Sequence, residues 1–171
     1  MRRTVSVLAL SVITCLAMAG VASADHTCTA SKIKATGTKA LKKLICHQQA
    51  ARAGIAADSL CLGKAETKFD EKFAHAEARP PCFASGDAAA IEANVDAFVA
   101  DIATDLRPVL TASRCAGLKL KAAAQKAFAK LKCHVTAVRK GTIVDPVCLS
   151  DATTKFSDKF VRAEGRTIAS R

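Results

Sequence analysis

Leu62, Ala65, Phe69, Phe73 and Ala76 are spaced three and four residues apart, which places them in one apolar stripe of a helix. Asp58 stands ahead of that stripe as an N-cap, and Arg79-Pro80-Pro81 ends it. A second stripe, Ile91, Val95, Phe98, Val99, Ile102 and Leu106, follows the start signal Ser85-Gly86-Asp87. Upstream, the pattern predicts a longer helix over residues 28–53, closed by Gly54 as a helix C-terminus commonly is. Pro108 marks a junction, and beyond it the long helix, the glycine and the stripe return as residues 115–140, Gly141 and a helix opened by Asp145-Pro146. The chain is therefore expected to be all-α, about five helices in antiparallel hairpins forming a small bundle.

The return is a repeat. Shifted by 87 residues, Cys28, Cys46 and Cys61 fall on Cys115, Cys133 and Cys148, and 24 of the 51 positions from 28 to 78 are identical. The shared unit is C-H-x13-C-L-x2-A-x-T-K-F-x2-K-F-x2-A-E, once from Cys46-His47 to Ala76-Glu77 and again from Cys133-His134 to Ala163-Glu164. Such self-similarity marks a duplicated hairpin. The expected division is 25–107 for the first unit with its third helix and 108–171 for the second, which lacks a counterpart of that helix.

The cysteines fit the hairpins. Cys28 and Cys46 are 18 residues apart, five whole helical turns, so they stack on one face and do not pair with each other. Facing residues of a hairpin share a midpoint at its turn. Cys46 with Cys61, and Cys28 with Cys82, centre beside Gly54; Cys133 with Cys148 centres beside Gly141. These are the three expected disulfides. The partner of Cys115 falls near position 169, where the chain has Ala169, so Cys115 is expected to be unpaired or to bridge two copies of the chain. Leu41, Leu44 and Gln48 point away from Cys46, so the first long helix is expected to be sandwiched, with the third helix against its Leu face.

The repeated C-H-x13-C-L…TKF…KF…AE unit resembles that of exported bacterial helical proteins rich in Ala and Lys and containing Cys, a group without an assigned activity. The resemblance spans nearly all of the chain after its leader. It implies export and helical hairpins, and it carries over no catalytic residue.

Residues 1–24 have the layout of a cleaved export signal: Arg2 and Arg3, an apolar run from Val5 to Leu16, and Ala22-Ser23-Ala24 before Asp25. Removing them leaves 147 residues, 24 basic against 15 acidic, and seven cysteines. Val, Ile, Leu and Phe number only 32 of the 147, a thin core for which covalent staples are expected in an oxidising, periplasmic or secreted setting. The 36 alanines inflate the hydrophobic fraction of 50% and favour helix over strand. No apolar stretch after the leader approaches a membrane span, so an integral membrane protein is not expected.

Charge is localised. Residues 28–54 hold six basic side chains and no acid, residues 115–141 hold seven and no acid, and the third helix sets five acids against Arg107. The first excess reads as internal complementarity. For the second, Lys119, Lys121, Lys126, Lys130, Lys132, Arg139 and Lys140 are also candidate binders of anionic lipid, polysaccharide or an acidic protein. Nucleic acid is disfavoured, because aromatics are 4% of the chain and the phenylalanines sit at core spacing.

Catalytic and cofactor patterns are missing. Cys-His neighbours at 46–47 and 133–134 point about 100° apart on a helix and cannot readily share a metal. There is no C-x-x-C-H, Gly-rich phosphate loop or H-E-x-x-H, so no cofactor or metal is called for. Cys115, beside Arg114, is the one candidate redox thiol or nucleophile, with no Ser/His/Asp or Cys/His/Asn set to support it. The expected role is an exported, non-enzymatic binding or structural module of the cell envelope or exterior. Attachment to anionic surface through the basic helices is the alternative, and thiol chemistry at Cys115 a second one.

Overall fold

Proline is absent from residues 4–53, and the backbone there forms a single helix. The computed structural model describes residues 4–168 apart from positions 80, 83 and 108, and places side chains from 25 to 165. The described residues form five helices and no strand: α1 (Thr4–Ala53), α2 (Ser59–Glu77), α3 (Ala88–Leu106), α4 (Arg114–Lys140) and α5 (Pro146–Ile168). The first helix was expected to begin near Cys28. It begins at Thr4, with no proline between the two positions to interrupt the backbone hydrogen bonds. Of the proposed leader, positions 1–3 and the side chains of the Ala22-Ser23-Ala24 cleavage site lie outside the described residues.

Local chemistry sets the other ends. Asp58 accepts from the Leu60 amide at 2.9 Å, Asp145 from that of Val147 at 2.9 Å, and Ser113 from that of Ala116 at 3.1 Å, so each opens its helix by satisfying a free N–H. Gly141 closes α4 in the left-handed region, its N–H donating to Ala137 and Val138 carbonyls. Gly54 does the same after α1 at φ 74°, and a Cβ there would lie 2.7 Å from the Ala112 nitrogen, so only glycine fits this turn.

The centre of the bundle is the pair α1 and α4. They run antiparallel, with Ser113 donating to the Ala51 carbonyl, Gly117 against Gln48 and Arg52, Gly37 against Phe128 and Leu131, and Gly141 against His26. These contacts straddle a common midpoint, so positions related by the 87-residue shift meet through equivalent faces, as in an isologous interface. Small residues make this approach possible: Gly37 leaves room for Leu131, and Ala124 sits with Leu44 in the main core cluster. α2 flanks α1 and α5 flanks α4.

α3 lies over α1 and touches α4, placing Val95 and Val99 in the cluster with Leu44, Leu120, Ala116 and Ala124. The Leu face of α1 was expected to meet the third helix; its main cover is α4, and α3 closes only one edge. The long helix of the second unit carries the same small and aliphatic face, and Gly37 and Gly117 let the two long helices approach closely. Phe98 shares the face of Ile91, Val95 and Ile102, as the spacing implies, but it is 40% exposed. It lies about 60° around the helix from the Val95–Val99 line, at the edge of the stripe.

In α2 the stripe packs as the spacing implies. Ala65, Phe69, Phe73 and Ala76 are buried, and Leu62 is half-buried. Each buried phenylalanine contributes roughly 1.5–3 kcal/mol. Cys28 is bonded to Cys82, Cys46 to Cys61 and Cys133 to Cys148, with Cα separations of 5.6, 5.9 and 6.0 Å. These are the pairs given by the hairpin midpoints, and disulfides of this kind form and persist in oxidising environments.

Candidate functional site

On α1, Lys32, Lys39 and Lys43 point between α2 and α3. Lys39, its side chain fully buried, binds Glu66, Glu92 at 2.6 Å and Asp96 at 3.2 Å. Lys43 binds Glu66 and, at 2.6 Å, Asp96. Lys32 binds Glu77 at 2.9 Å and Asp87. The ammonium groups of Lys32 and Lys39 also lie 4.7 and 5.0 Å from the ring centres of Phe73 and Phe69. Glu66, Glu92 and Asp96 approach one another closely enough to hold a metal ion, but the positive charge among them is the pair of lysine ammoniums. The acidic third helix is thus locked to the basic first one by a charge cluster whose lysines are buried and whose carboxylates are partly exposed.

Burial alone raises the Glu66 pKa, but hydrogen bonds from Lys39 and Lys43 outweigh it and hold the carboxyl at about 2. Asp87 is held below the usual carboxylate value by its hydrogen bond from Lys32, against some burial. Burial lowers Lys39, yet bonds to Glu66, Glu92 and Asp96 leave its pKa raised; Lys32 is raised in the same way by Asp87 and Glu77. Depressed carboxylates stabilise the fold above their unfolded pKa, and that contribution disappears as pH falls through the folded value. Melting temperature followed by circular dichroism is therefore expected to drop between pH 4.5, the ordinary value for Glu66, and about 2. Glu66→Gln should flatten that drop; an unchanged profile would mean that Glu66 is not the group responsible.

On α4 the same positions keep only part of that company. Lys119, counterpart of Lys32, binds Glu164 at 2.8 Å and lies 4.6 Å from the Phe160 ring centre. Lys126, counterpart of Lys39, lies 4.2 Å from the ring centre of Phe156. Thr153 stands where the first unit has Glu66, and the described residues contain no equivalent of α3. Among the described residues neither Lys126 nor Lys130, counterpart of Lys43, has a carboxylate partner. Both border a groove of about 500 Å³ floored by Ala40, Ala123 and Ala127 and walled by Phe98 and Ile102 of α3 and by Phe156 of α5.

The seven basic residues singled out on α4 do not form one surface. Lys126 and Lys130 line the groove, and Lys119 is tied to Glu164. Lys121, Lys132, Arg139 and Lys140 are exposed, and the first three project from nearly the opposite side of the helix, because the eleven residues from Lys121 to Lys132 and the seven from Lys132 to Arg139 are each close to whole turns. Lys132 and Arg139 lie there with Lys34, and Lys121 with Arg162. Cys115 is free and half-buried in the first turn of α4. Cys46 and Cys133 are held in disulfides, which leaves His47 and His134 without a thiolate neighbour for a metal. Burial first, then Lys43 and Arg107, lower the His47 pKa and favour its neutral form.

The groove was not foreseen from the sequence, although its signal was present: the 87-residue shift maps Lys32, Lys39 and Lys43 onto Lys119, Lys126 and Lys130, and maps Glu66 onto Thr153. No family model, curated protein or solved structure matches this chain. Among the described residues, no helix is long and apolar enough to cross a membrane.

Proposed function

We propose that the chain is an exported, non-enzymatic binding module of the cell envelope or exterior, stapled by disulfides, whose acceptor surface is the groove between α3, α4 and α5. The observation that carries this reading is the pair Lys126 and Lys130. Their counterparts are neutralised by carboxylates in a closed interface, whereas they edge an open apolar trough. Exposed apolar surface of this shape, rimmed by charge, is characteristic of sites that meet a partner. Export fits the disulfides and the layout of residues 1–24, and the likeness to exported Ala- and Lys-rich repeat proteins points the same way. The absence of a catalytic set in the sequence motivates the non-enzymatic assignment.

Anilinonaphthalene sulfonate, apolar and anionic, tests the surface directly. Fluorescence titration should give saturable binding at one site per chain, weakened at least tenfold by Phe98→Asp, which places a like charge on the wall of the groove. Absence of saturable binding, or binding indifferent to Phe98→Asp, would overturn the assignment.

A further inference from the structure

We infer that the groove is the seat of an acidic amphipathic helix supplied by a separate protein, bound as α3 is bound by the first unit. This rests on the groove being the acceptor surface, and it adds the class of partner. The template is within the chain. On α1, a helix with two apolar residues four apart, Val95 and Val99, is held by carboxylates four apart, Glu92 and Asp96, on Lys39 and Lys43. Lys126 and Lys130 offer the same two ammonium groups at the same spacing, over alanines at 123 and 127 in place of Thr36 and Ala40.

Because α1 and α4 meet through equivalent faces, the second seat lies on the same side of the pair as α3 and directly beside it. That is where the groove lies, with α3 as one wall. Its length suits a helix better than a compact ligand. From Ile91 to Ile102 the α3 wall spans about 16 Å, three turns.

Charge complementarity selects an acidic occupant. An apolar helix alone would bury two ammonium groups without partners, at a cost of several kcal/mol. A second copy of this chain is the weaker occupant: its own α3 is locked to a fully buried Lys39, and lending that helix would empty a seat richer in ion pairs than the one it filled.

The probe is a capped synthetic peptide of residues 85–107, titrated by calorimetry into the chain with its disulfides intact. Expected are one site per chain, displacement of anilinonaphthalene sulfonate, and affinity that falls as salt is raised. Lys126→Glu with Lys130→Glu should weaken binding at least tenfold, and a peptide carrying Glu92→Lys and Asp96→Lys should restore it on that variant. Those lysines are half-buried and outside the ion-pair cluster, so the variant should keep its helix content.

If the dye titrates normally but the peptide does not bind at low salt, the acidic-helix inference fails and the groove remains an acceptor surface. If neither binds, both fail. Two other results would also overturn the inference. One is mass doubling in sedimentation that the double variant abolishes, making a second copy the occupant. The other is binding to anionic phospholipid vesicles that the double variant abolishes while the peptide stays unbound, making a lipid surface the occupant.

Discussion

Lys39→Met is expected to cost the fold about 1.5–3 kcal/mol, the range for losing hydrogen bonds between charged groups, since the carboxylates left behind are partly exposed. The substitution keeps most of the aliphatic volume, so the loss reports charge and hydrogen bonding more than packing. It would leave Glu66, Glu92 and Asp96 within 4.8 Å of one another with Lys43 as their remaining cation. The chain carries its own control. Lys126→Met removes the equivalent lysine from α4, where the visible interaction is with the Phe156 ring, and should cost about 0.5–1 kcal/mol. Urea unfolding at neutral pH with disulfides intact measures both. Equal losses would mean that the carboxylate cluster is not what holds Lys39. Adding Glu92→Gln and Asp96→Asn to Lys39→Met should recover part of the loss, because two of the stranded carboxylates are then neutral.

That asymmetry also shows what the sequence could reveal. The helices and their ends were legible because they depend on neighbours in the chain: Asp58, Asp145 and Gly141 cap what they adjoin, and the phenylalanine stripe of α2 has the period of a helix. The disulfide pairs were legible because a hairpin fixes which residues face each other. Packing between hairpins was not legible. The Leu face of α1 meets α4, which depends on Gly37 and Gly117 permitting two long helices to approach closely, and periodicity contains no such information. The exposure of Phe98 was not legible either, because a wide apolar stripe has edges, and only the neighbours decide whether an edge residue is covered.

The site was half legible. Counting charge by segment pairs a basic helix with an acidic one, but it does not show that Glu66, from a nearly neutral helix, would join the cluster. Nor does it show that seven basic residues on α4 would separate onto two sides, although the helical angle between Lys121 and Lys126 already requires it. The tertiary arrangement sets the two repeats side by side: in the first, carboxylates of α2 and α3 cover Lys39 and Lys43, and in the second, Lys126 and Lys130 border the groove.

The Cys28–Cys82 bond should be the most valuable of the three staples, and its loss should act first on the repeat whose lysines α3 covers. It closes 54 residues of sequence against 15 for each of the others. On the chain-entropy account that difference corresponds to roughly 4 kcal/mol for the long loop and about 3 kcal/mol for a short one. The bond also ties α1 to the link between α2 and α3, close to where Lys32 donates to the Ala84 carbonyl and to Asp87. Cys28→Ser with Cys82→Ser is therefore expected to loosen the N-terminal end of α3 as well as to destabilise the chain. Hydrogen exchange should show amides of α3 near residue 91 losing protection before those of α4. Cys133→Ser with Cys148→Ser should cost about 3 kcal/mol on the same account and leave α3 protected. If the two double variants lose equal stability and α3 exchanges alike in both, the long bond is only one staple among three and does not hold the third helix in its seat.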